Sequence, residues 1–176
     1  MDKGDHVADF ELPDESGALR RLSEFLALGP VVIFFYPAAM SKGCTAESRH
    51  FRDLAAEFAA LGAQRIGIST DEVARQQEFS KRNSLGYPLL SDRHGEVAAQ
   101  FGVKRRFGPI PVKRWTFVIQ SNGRVLEVIK SETRMTHHAD RAVEVLRQNA
   151  LAPTQPHVEV QPQQGHRKSS IPTDPS

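Results

Sequence analysis

The chain has 176 residues, of which 39% are hydrophobic and 25% are charged. This length suits a single domain, and a hydrophobic fraction below the usual ~45–50% predicts that part of the chain stays outside any folded core. The 23 basic and 21 acidic residues give a formal net charge of only +2. That near balance argues against a dedicated nucleic-acid-binding protein.

Neither a targeting segment nor a membrane segment is evident. The first residues, Met1 to His6, are polar and charged, whereas a secretory signal needs a long apolar stretch. The longest apolar run, Val31 to Tyr36, is far shorter than the ~20 residues that cross a bilayer. We therefore expect a soluble, cytoplasmic protein with neither membrane nor nucleic acid as a partner.

Residues 153–176 differ in composition from the rest of the chain. They hold five of the eleven prolines, and their aliphatic residues are only Val158, Val160 and Ile171. Such a segment buries too little apolar surface to offset the entropy lost on ordering. We expect a folded domain over residues 1–152 and a disordered, Pro/Gln-rich tail over residues 153–176.

Apolar strand-like runs alternate with amphipathic helices through the first 152 residues. In chain order, the pattern predicts a strand at Val31–Tyr36, a helix at Thr45–Leu61, a strand at Arg65–Ser69, a helix at Asp71–Ser84, a strand at Tyr87–Leu90 and a helix at Glu96–Phe101. Two further strands, Trp115–Gln120 and Arg124–Lys130, flank an Asn-Gly hairpin signal, and a closing helix covers His137–Leu151. This order indicates an α/β fold of the thioredoxin-like type, a central mixed sheet flanked by helices, with an N-terminal extension.

Cys44 is the only cysteine of the chain. A single cysteine excludes an intrachain disulfide, a CxxC redox site and an all-cysteine metal site, and we expect neither a metal nor an organic cofactor. Its predicted place is the start of a helix, where free backbone N–H groups and the helix dipole stabilise a thiolate. Ser41 can offer its hydroxyl to the sulfur, Gly43 allows close backbone approach, and Pro37 begins a small, dry pocket. The alternative from position alone is an inert buried cysteine.

The residues around Cys44 resemble the peroxidatic motif of peroxiredoxins, in which Pro is followed after three residues by Thr or Ser and after two more by Cys. The matching positions are Pro37, Ser41 and Cys44. The Phe-Tyr-Pro lead-in and the Gly-Cys-Thr-x-Glu ending are similar to the bacterioferritin comigratory protein (PrxQ) branch of the alkyl hydroperoxide reductase/thiol-specific antioxidant family. That family also carries an arginine before a late strand, and Arg114 fits this position. The resemblance runs from about Asp5 to Leu151.

The resemblance implies a thiol peroxidase that takes part in antioxidant defence and cell redox homeostasis. Cys44 would attack one oxygen of hydrogen peroxide or an organic hydroperoxide and become a sulfenic acid. Arg114 would stabilise the thiolate and the developing negative charge, Ser41 would order the reacting atoms, and Pro37 would exclude water. Gly43 and Cys44 would offer backbone N–H groups, and Glu47 is a secondary candidate that interacts with the helix start or holds the loop.

One departure from the PrxQ branch sets the expected cycle. Many members have a resolving cysteine five positions after the peroxidatic one, where this chain has Arg49. With a single cysteine, the resemblance implies a 1-Cys mechanism in which an external thiol resolves the sulfenic acid. Thioredoxin, or a low-molecular-weight thiol with a glutaredoxin-like protein, would serve. A peroxide-sensing redox protein and a non-catalytic thioredoxin-like binding module remain as alternatives. The sequence is compatible with a monomer and with a homodimer.

Three other features have simpler interpretations. His50 lies six helical positions from Cys44 and cannot share its proton, so it is interpreted as a surface histidine. His137 and His138 point about 100° apart on a helix, which makes them ordinary helix-start residues and not a metal site. The cluster of Lys104, Arg105, Arg106, Lys113 and Arg114 is interpreted as a solvated loop, with steering of an acidic reductase as the functional alternative.

Overall fold

The computed structural model describes residues 1–151, so the predicted tail at 153–176 lies outside the described residues and stays a prediction. The strands are β1 (Glu11–Pro13), β2 (Leu19–Arg21), β3 (Val31–Phe35), β4 (Gln64–Ser69), β5 (Leu89–Ser91), β6 (Trp115–Ile119) and β7 (Val125–Lys130). The helices are α1 (Leu22–Leu26), α2 (Lys42–Asp53), α3 (Ala55–Ala60), α4 (Val73–Asn83), α5 (Glu96–Gln100) and α6 (Met135–Leu151). Within residues 1–151, no helix is long and apolar enough to span a membrane.

Five strands form a mixed central sheet in the order β5-β4-β3-β6-β7. Strand β3 pairs parallel with β4 and antiparallel with β6, and β7 closes the predicted antiparallel hairpin on β6. The central strand is buried at every position, as its uninterrupted apolar sequence predicts for a strand covered on both faces. The α/β fold with a central mixed sheet flanked by helices is therefore confirmed.

A hydrophobic core lies on each face of the sheet, because alternate residues of β3 point in opposite directions. Phe34 and Tyr36 belong to the core that α2, α3, α4 and α6 cover. Ile33 and Phe35 belong to the core that α1 and α5 cover. The N-terminal extension forms the β1–β2 hairpin and α1, whose Leu22 and Phe25 are buried in the second core.

Several predicted boundaries shift by one or two residues, and two differences have a clear physical reason. The predicted helix from Thr45 to Leu61 begins at Lys42 and breaks at Leu54, whose φ and ψ of −88° and 21° leave the helical range. Across this break Phe51 and Phe58 both face the core, with ring centroids 5.9 Å apart. The strand predicted at Tyr87–Leu90 begins only at Leu89, since Pro88 has no N–H to donate to a neighbouring strand.

Candidate active site

The end of strand β3 and the start of helix α2 place the motif residues. After β3, Pro37 opens a loop that ends at Ser41, the N-cap of α2. The Ser41 hydroxyl oxygen accepts a hydrogen bond from the Cys44 backbone N–H at 3.3 Å, which satisfies one of the free donors at the helix start. Cys44 lies in the first turn with its side chain 1% exposed. The Ser41 oxygen and the Cys44 N–H are thus engaged with each other at the helix cap, and the Ser41 hydroxyl proton is not used in this contact.

Two side chains at the N-terminal end of α4 hold the loop between Pro37 and Ser41. Asp71, just before α4, accepts a hydrogen bond from the Ala39 backbone N–H at 2.7 Å and another from Ser69 at 2.8 Å. Arg75 forms an ion pair with Asp71 at 3.1 Å and donates to the Ala39 carbonyl at 3.1 Å. Both backbone groups of Ala39 are thereby fixed from the β4–α4 side. Sequence reasoning did not single out Asp71 or Arg75, because only the parallel pairing of β3 with β4 brings them to this loop.

Arg114 is the charged residue at the thiol. It precedes β6, and Nη2 donates to Cys44 Sγ at 3.3 Å although the two residues are 70 positions apart. Strand β6 runs antiparallel to β3, with Thr116 opposite Phe34, so the residues before β6 lie beside the end of β3. The guanidinium is buried, and burial would lower its pKa, but the neighbouring Glu47 and Cys44 raise it. Arg114 therefore stays a cation at the sulfur.

Glu47 occupies a different place from the one expected. Its side chain neither caps the helix nor holds the loop; it is fully buried and accepts a hydrogen bond from Arg114 Nη1. The other guanidinium nitrogen, Nη2, is the one that reaches Cys44. Burial raises the pKa of Glu47 to about 8 against the lowering effect of Arg114. Glu47 thus orients the guanidinium through Nη1, which leaves Nη2 directed at the thiol.

Gly43 lies close to two side chains that would have to shift to accommodate a larger residue. A Cβ added to Gly43 would lie 3.0 Å from Met135 Cε and 3.3 Å from Arg114 Nη2. Glycine at this position therefore allows the guanidinium to reach the sulfur, as its predicted role of close backbone approach requires. Met135, the first residue of α6, covers this side of the site, and sequence reasoning did not identify it.

His138 lies in the first turn of α6 as predicted, but its burial was not predicted. His138 is fully buried, Nε2 lies 2.8 Å from the Ser131 carbonyl, and Nδ1 lies 2.9 Å from Thr116 Oγ1. Since a carbonyl only accepts, Nε2 carries the proton and Nδ1 accepts from the threonine hydroxyl. Nδ1 is also 3.9 Å from Glu47 Oε1, a buried oxygen without another partner in the described residues. His138 therefore packs against the Glu47–Arg114 pair.

The other histidines lie outside this arrangement. His50 Nε2 lies 2.7 Å from Asp140 Oδ1 and links α2 to α6 at the surface, which agrees with its predicted surface position. His137 is half-buried on the first turn of α6. Within residues 1–151, no group of three or more His, Cys, Asp or Glu side chains is arranged to hold a metal ion.

Burial of neutral His138 predicts a loss of stability in acid. Burial lowers its pKa from 6.5 to about 4, so between these pH values the unfolded chain binds a proton that the folded chain does not. We expect this residue to contribute up to about 3 kcal/mol above pH 6.5, lost as the pH falls towards 4. Glu47, with its raised pKa, acts in the opposite direction between about pH 4.5 and 8.

The comparison of wild type with His138→Gln isolates the contribution of the histidine. The amide can still donate to one partner but has no proton to gain in this range. Denaturant unfolding from pH 4 to pH 8 should give a steeper acid loss for the wild type than for the variant. Equal slopes for both proteins would contradict a buried, neutral His138.

Comparison with known proteins identifies the family. The model of the AhpC/TSA family matches residues 3–128. A Mycobacterium tuberculosis protein named as a peroxiredoxin is 60% identical over 149 residues, which are 84% of this chain and 97% of that protein. Peroxiredoxin Q of rice chloroplasts is 36% identical over 147 residues, 83% of this chain and 67% of that protein.

Solved structures agree with the sequence relatives. The crystal structure of peroxidoxin BcpB from Mycobacterium tuberculosis superposes with a TM-score of 0.82 at 57% identity, covering 87% of this chain and 99% of that one. The bacterioferritin comigratory protein of Xanthomonas campestris superposes with a TM-score of 0.73 at 28% identity, covering 80% and 92% of the two chains. The predicted thioredoxin-like fold and the similarity to the PrxQ branch are thereby confirmed. The chain belongs to the AhpC/TSA family of peroxiredoxins and is a thiol peroxidase.

Proposed function

We propose that this thiol peroxidase reduces hydrogen peroxide and organic hydroperoxides by a 1-Cys mechanism with Cys44 as the nucleophile. The observation that carries the proposal is the contact of 3.3 Å between Arg114 Nη2 and the sulfur of the only cysteine in the chain. An arginine is always cationic, so it stabilises a thiolate in a site from which water is excluded. The Xanthomonas campestris neighbour is described by its alkyl peroxide reduction activity, which supports organic hydroperoxides as substrates.

In the oxidative step the Cys44 thiolate attacks one peroxide oxygen. A sulfur–oxygen bond forms, the oxygen–oxygen bond breaks, and the leaving oxygen takes a proton to become water or an alcohol. Sulfur loses two electrons and becomes a sulfenic acid, while the peroxide gains them. Arg114 donates to the oxygen on which negative charge develops, and the Ser41 hydroxyl proton orders the peroxide against the sulfur.

The remaining site residues support these two groups. Pro37 has no N–H and shields the sulfur from water without adding a competing donor. Glu47 positions Arg114, and Gly43 leaves the space in which the guanidinium meets the sulfur. Arg114 and Cys44 are thus catalytic residues in this proposal, Ser41 and Pro37 complete the peroxide pocket, and Glu47 and Gly43 act through Arg114.

In the reductive step an external thiol completes the cycle. A first thiol condenses with the sulfenic acid, releasing water and leaving a mixed disulfide, and a second thiol attacks that disulfide to release Cys44. Thioredoxin, or a low-molecular-weight thiol with a glutaredoxin-like protein, fits this step. Since the Cys44 side chain is only 1% exposed, the first turn of α2 must open before the mixed disulfide forms. We place the reaction in the cytoplasm, where reduced thiols are abundant.

Stopped-flow mixing of the reduced wild-type protein with hydrogen peroxide tests the proposal. The single tryptophan, Trp115, directly follows Arg114 and reports the reaction by fluorescence. We expect a second-order reaction much faster than that of a free thiolate, one added oxygen at Cys44 by mass spectrometry, and two thiols consumed per peroxide in steady state. A rate no better than that of a free thiolate would refute the proposal, and fast oxidation without turnover by any thiol would replace it with a peroxide sensor.

A further inference from the structure

The loop between α5 and β6 exposes apolar side chains to solvent. We name residues 104–113 the basic loop. Its two ends pair through a bridge between Lys104 and Val112 and a hydrogen bond of 2.8 Å from the Arg105 N–H to the Pro111 carbonyl. The intervening tip leaves Phe107 89% exposed and Ile110 46% exposed. Two apolar side chains held outward on a paired loop are typical of a contact surface.

The same loop carries positive charge that is not neutralised. Arg105 forms an ion pair with Glu132 at 2.9 Å. In the part of the chain that the structure describes, no carboxylate lies within ion-pair distance of Lys104, Arg106 or Lys113. Lys104 Nζ donates to the His94 carbonyl and Lys113 Nζ lies over the Trp115 ring, but neither contact neutralises the charge. Three cations without a carboxylate partner exceed the net charge of +2 for the whole chain, so the basic loop is a local concentration of charge. Such a surface attracts an acidic partner and raises its association rate.

The basic loop lies at the same end of the sheet as the thiol. It leads directly into Arg114 and β6, and β6 begins beside the end of β3, after which Cys44 follows. Glu132, the partner of Arg105, belongs to the segment that leads from β7 to Met135, and Met135 covers Gly43. A protein that contacts the basic loop therefore lies close to the first turn of α2, which must open before an external thiol reaches Cys44.

We propose that the basic loop is the docking surface for a protein thiol reductant that carries acidic side chains around its reactive thiol. The proposal rests on the external-thiol cycle proposed above. Lys104, Arg106 and Lys113 steer the acidic rim of the reductant, and Phe107 packs against its apolar centre. A small thiol needs no such contact, so the surface matters only for reduction by a protein.

Two variants and two reductants test the docking surface. Phe107→Ser and the double charge reversal Lys104→Glu/Arg106→Glu are compared with the wild type, with thioredoxin plus its reductase as one electron source and dithiothreitol as the other. The matched control is Lys81→Glu/Arg147→Glu, which places the same charge change at exposed positions of α4 and α6. Peroxide oxidation of Cys44 is measured separately by stopped flow.

We expect the KM for thioredoxin to rise about tenfold or more in both loop variants and the salt dependence to weaken in the charge-reversed one. In the loop variants, the rates of dithiothreitol-driven turnover and of peroxide oxidation should stay at wild-type values. The control variant should match the wild type in every rate. Three results would each overturn the docking surface. They are unchanged thioredoxin kinetics in the loop variants, an equal loss of turnover rate with dithiothreitol, and sedimentation that shows a variant only converting a dimer to a monomer. A wild type reduced by dithiothreitol but not by thioredoxin would also overturn it and leave the proposed function intact, whereas an oxidised wild type that no thiol reduces would refute both.

Discussion

Cys44→Ser is expected to lose at least about a thousandfold in the second-order rate constant for peroxide reduction. A serine hydroxyl does not ionise at neutral pH, so the variant has no nucleophile to attack the peroxide oxygen. With no other cysteine in the chain, no second thiol can take over. Stopped-flow fluorescence of Trp115 should show no fast phase, and the protein mass should stay unchanged after exposure to peroxide.

The stability of the Cys44→Ser variant shows whether a loss of activity reflects a loss of fold. Serine is close to cysteine in volume, and its oxygen can accept the hydrogen bond that Arg114 Nη2 now donates to the sulfur at 3.3 Å. We expect the free energy of unfolding to change by less than about 1.5 kcal/mol. A folded Cys44→Ser protein that still reduces peroxide with thiols would show that the nucleophile lies elsewhere.

Local sequence patterns were enough to predict the fold. The uninterrupted apolar run of β3 and the Asn-Gly hairpin between β6 and β7 can each be recognised from a few consecutive residues. The break at Leu54 was not predictable in this way, because the apolar spacing of Phe51, Leu54 and Phe58 continues through it as in one helix. The core, and not the helical period, sets the direction of α3.

The same difference between local and long-range contacts applies to the residues of the site. Cys44 and Ser41 are three residues apart, so their relation is visible in the sequence, whereas Arg114 meets Glu47 and Cys44 across 67 and 70 positions. Only the resemblance to a known family pointed to Arg114. Helical periodicity did hold a signal for His138, which lies four residues before Ala142 and eight before Leu146 on one buried face. A polar residue buried in such a row needs partners, and here they are Ser131 and Thr116.

Arg114→Lys is expected to slow the oxidation of Cys44 by about a hundredfold. The guanidinium holds Glu47 with Nη1 and the sulfur with Nη2, and a lysine ammonium is a single charged centre that cannot reproduce this fork. Arg114→Lys therefore keeps the positive charge but loses one of the two contacts. Arg114→Met should slow the reaction further and destabilise the fold by about 3 kcal/mol, because Glu47 is left buried without its partner.

A double variant separates the catalytic contribution of Arg114 from its contribution to stability. In Arg114→Met/Glu47→Gln the unpaired carboxyl is gone, so most of the lost stability should return while the oxidation rate stays low. Arg141→Met is a matched control, since it removes partly exposed ion pairs with Glu127 at 3.5 Å and Glu144 at 2.8 Å. It should cost less than about 1 kcal/mol with no effect on rate. Recovery of the rate in the double variant would mean that Arg114 only supports the fold. A persistent loss of rate in a stable protein is the result expected if the guanidinium stabilises the reacting thiolate and peroxide.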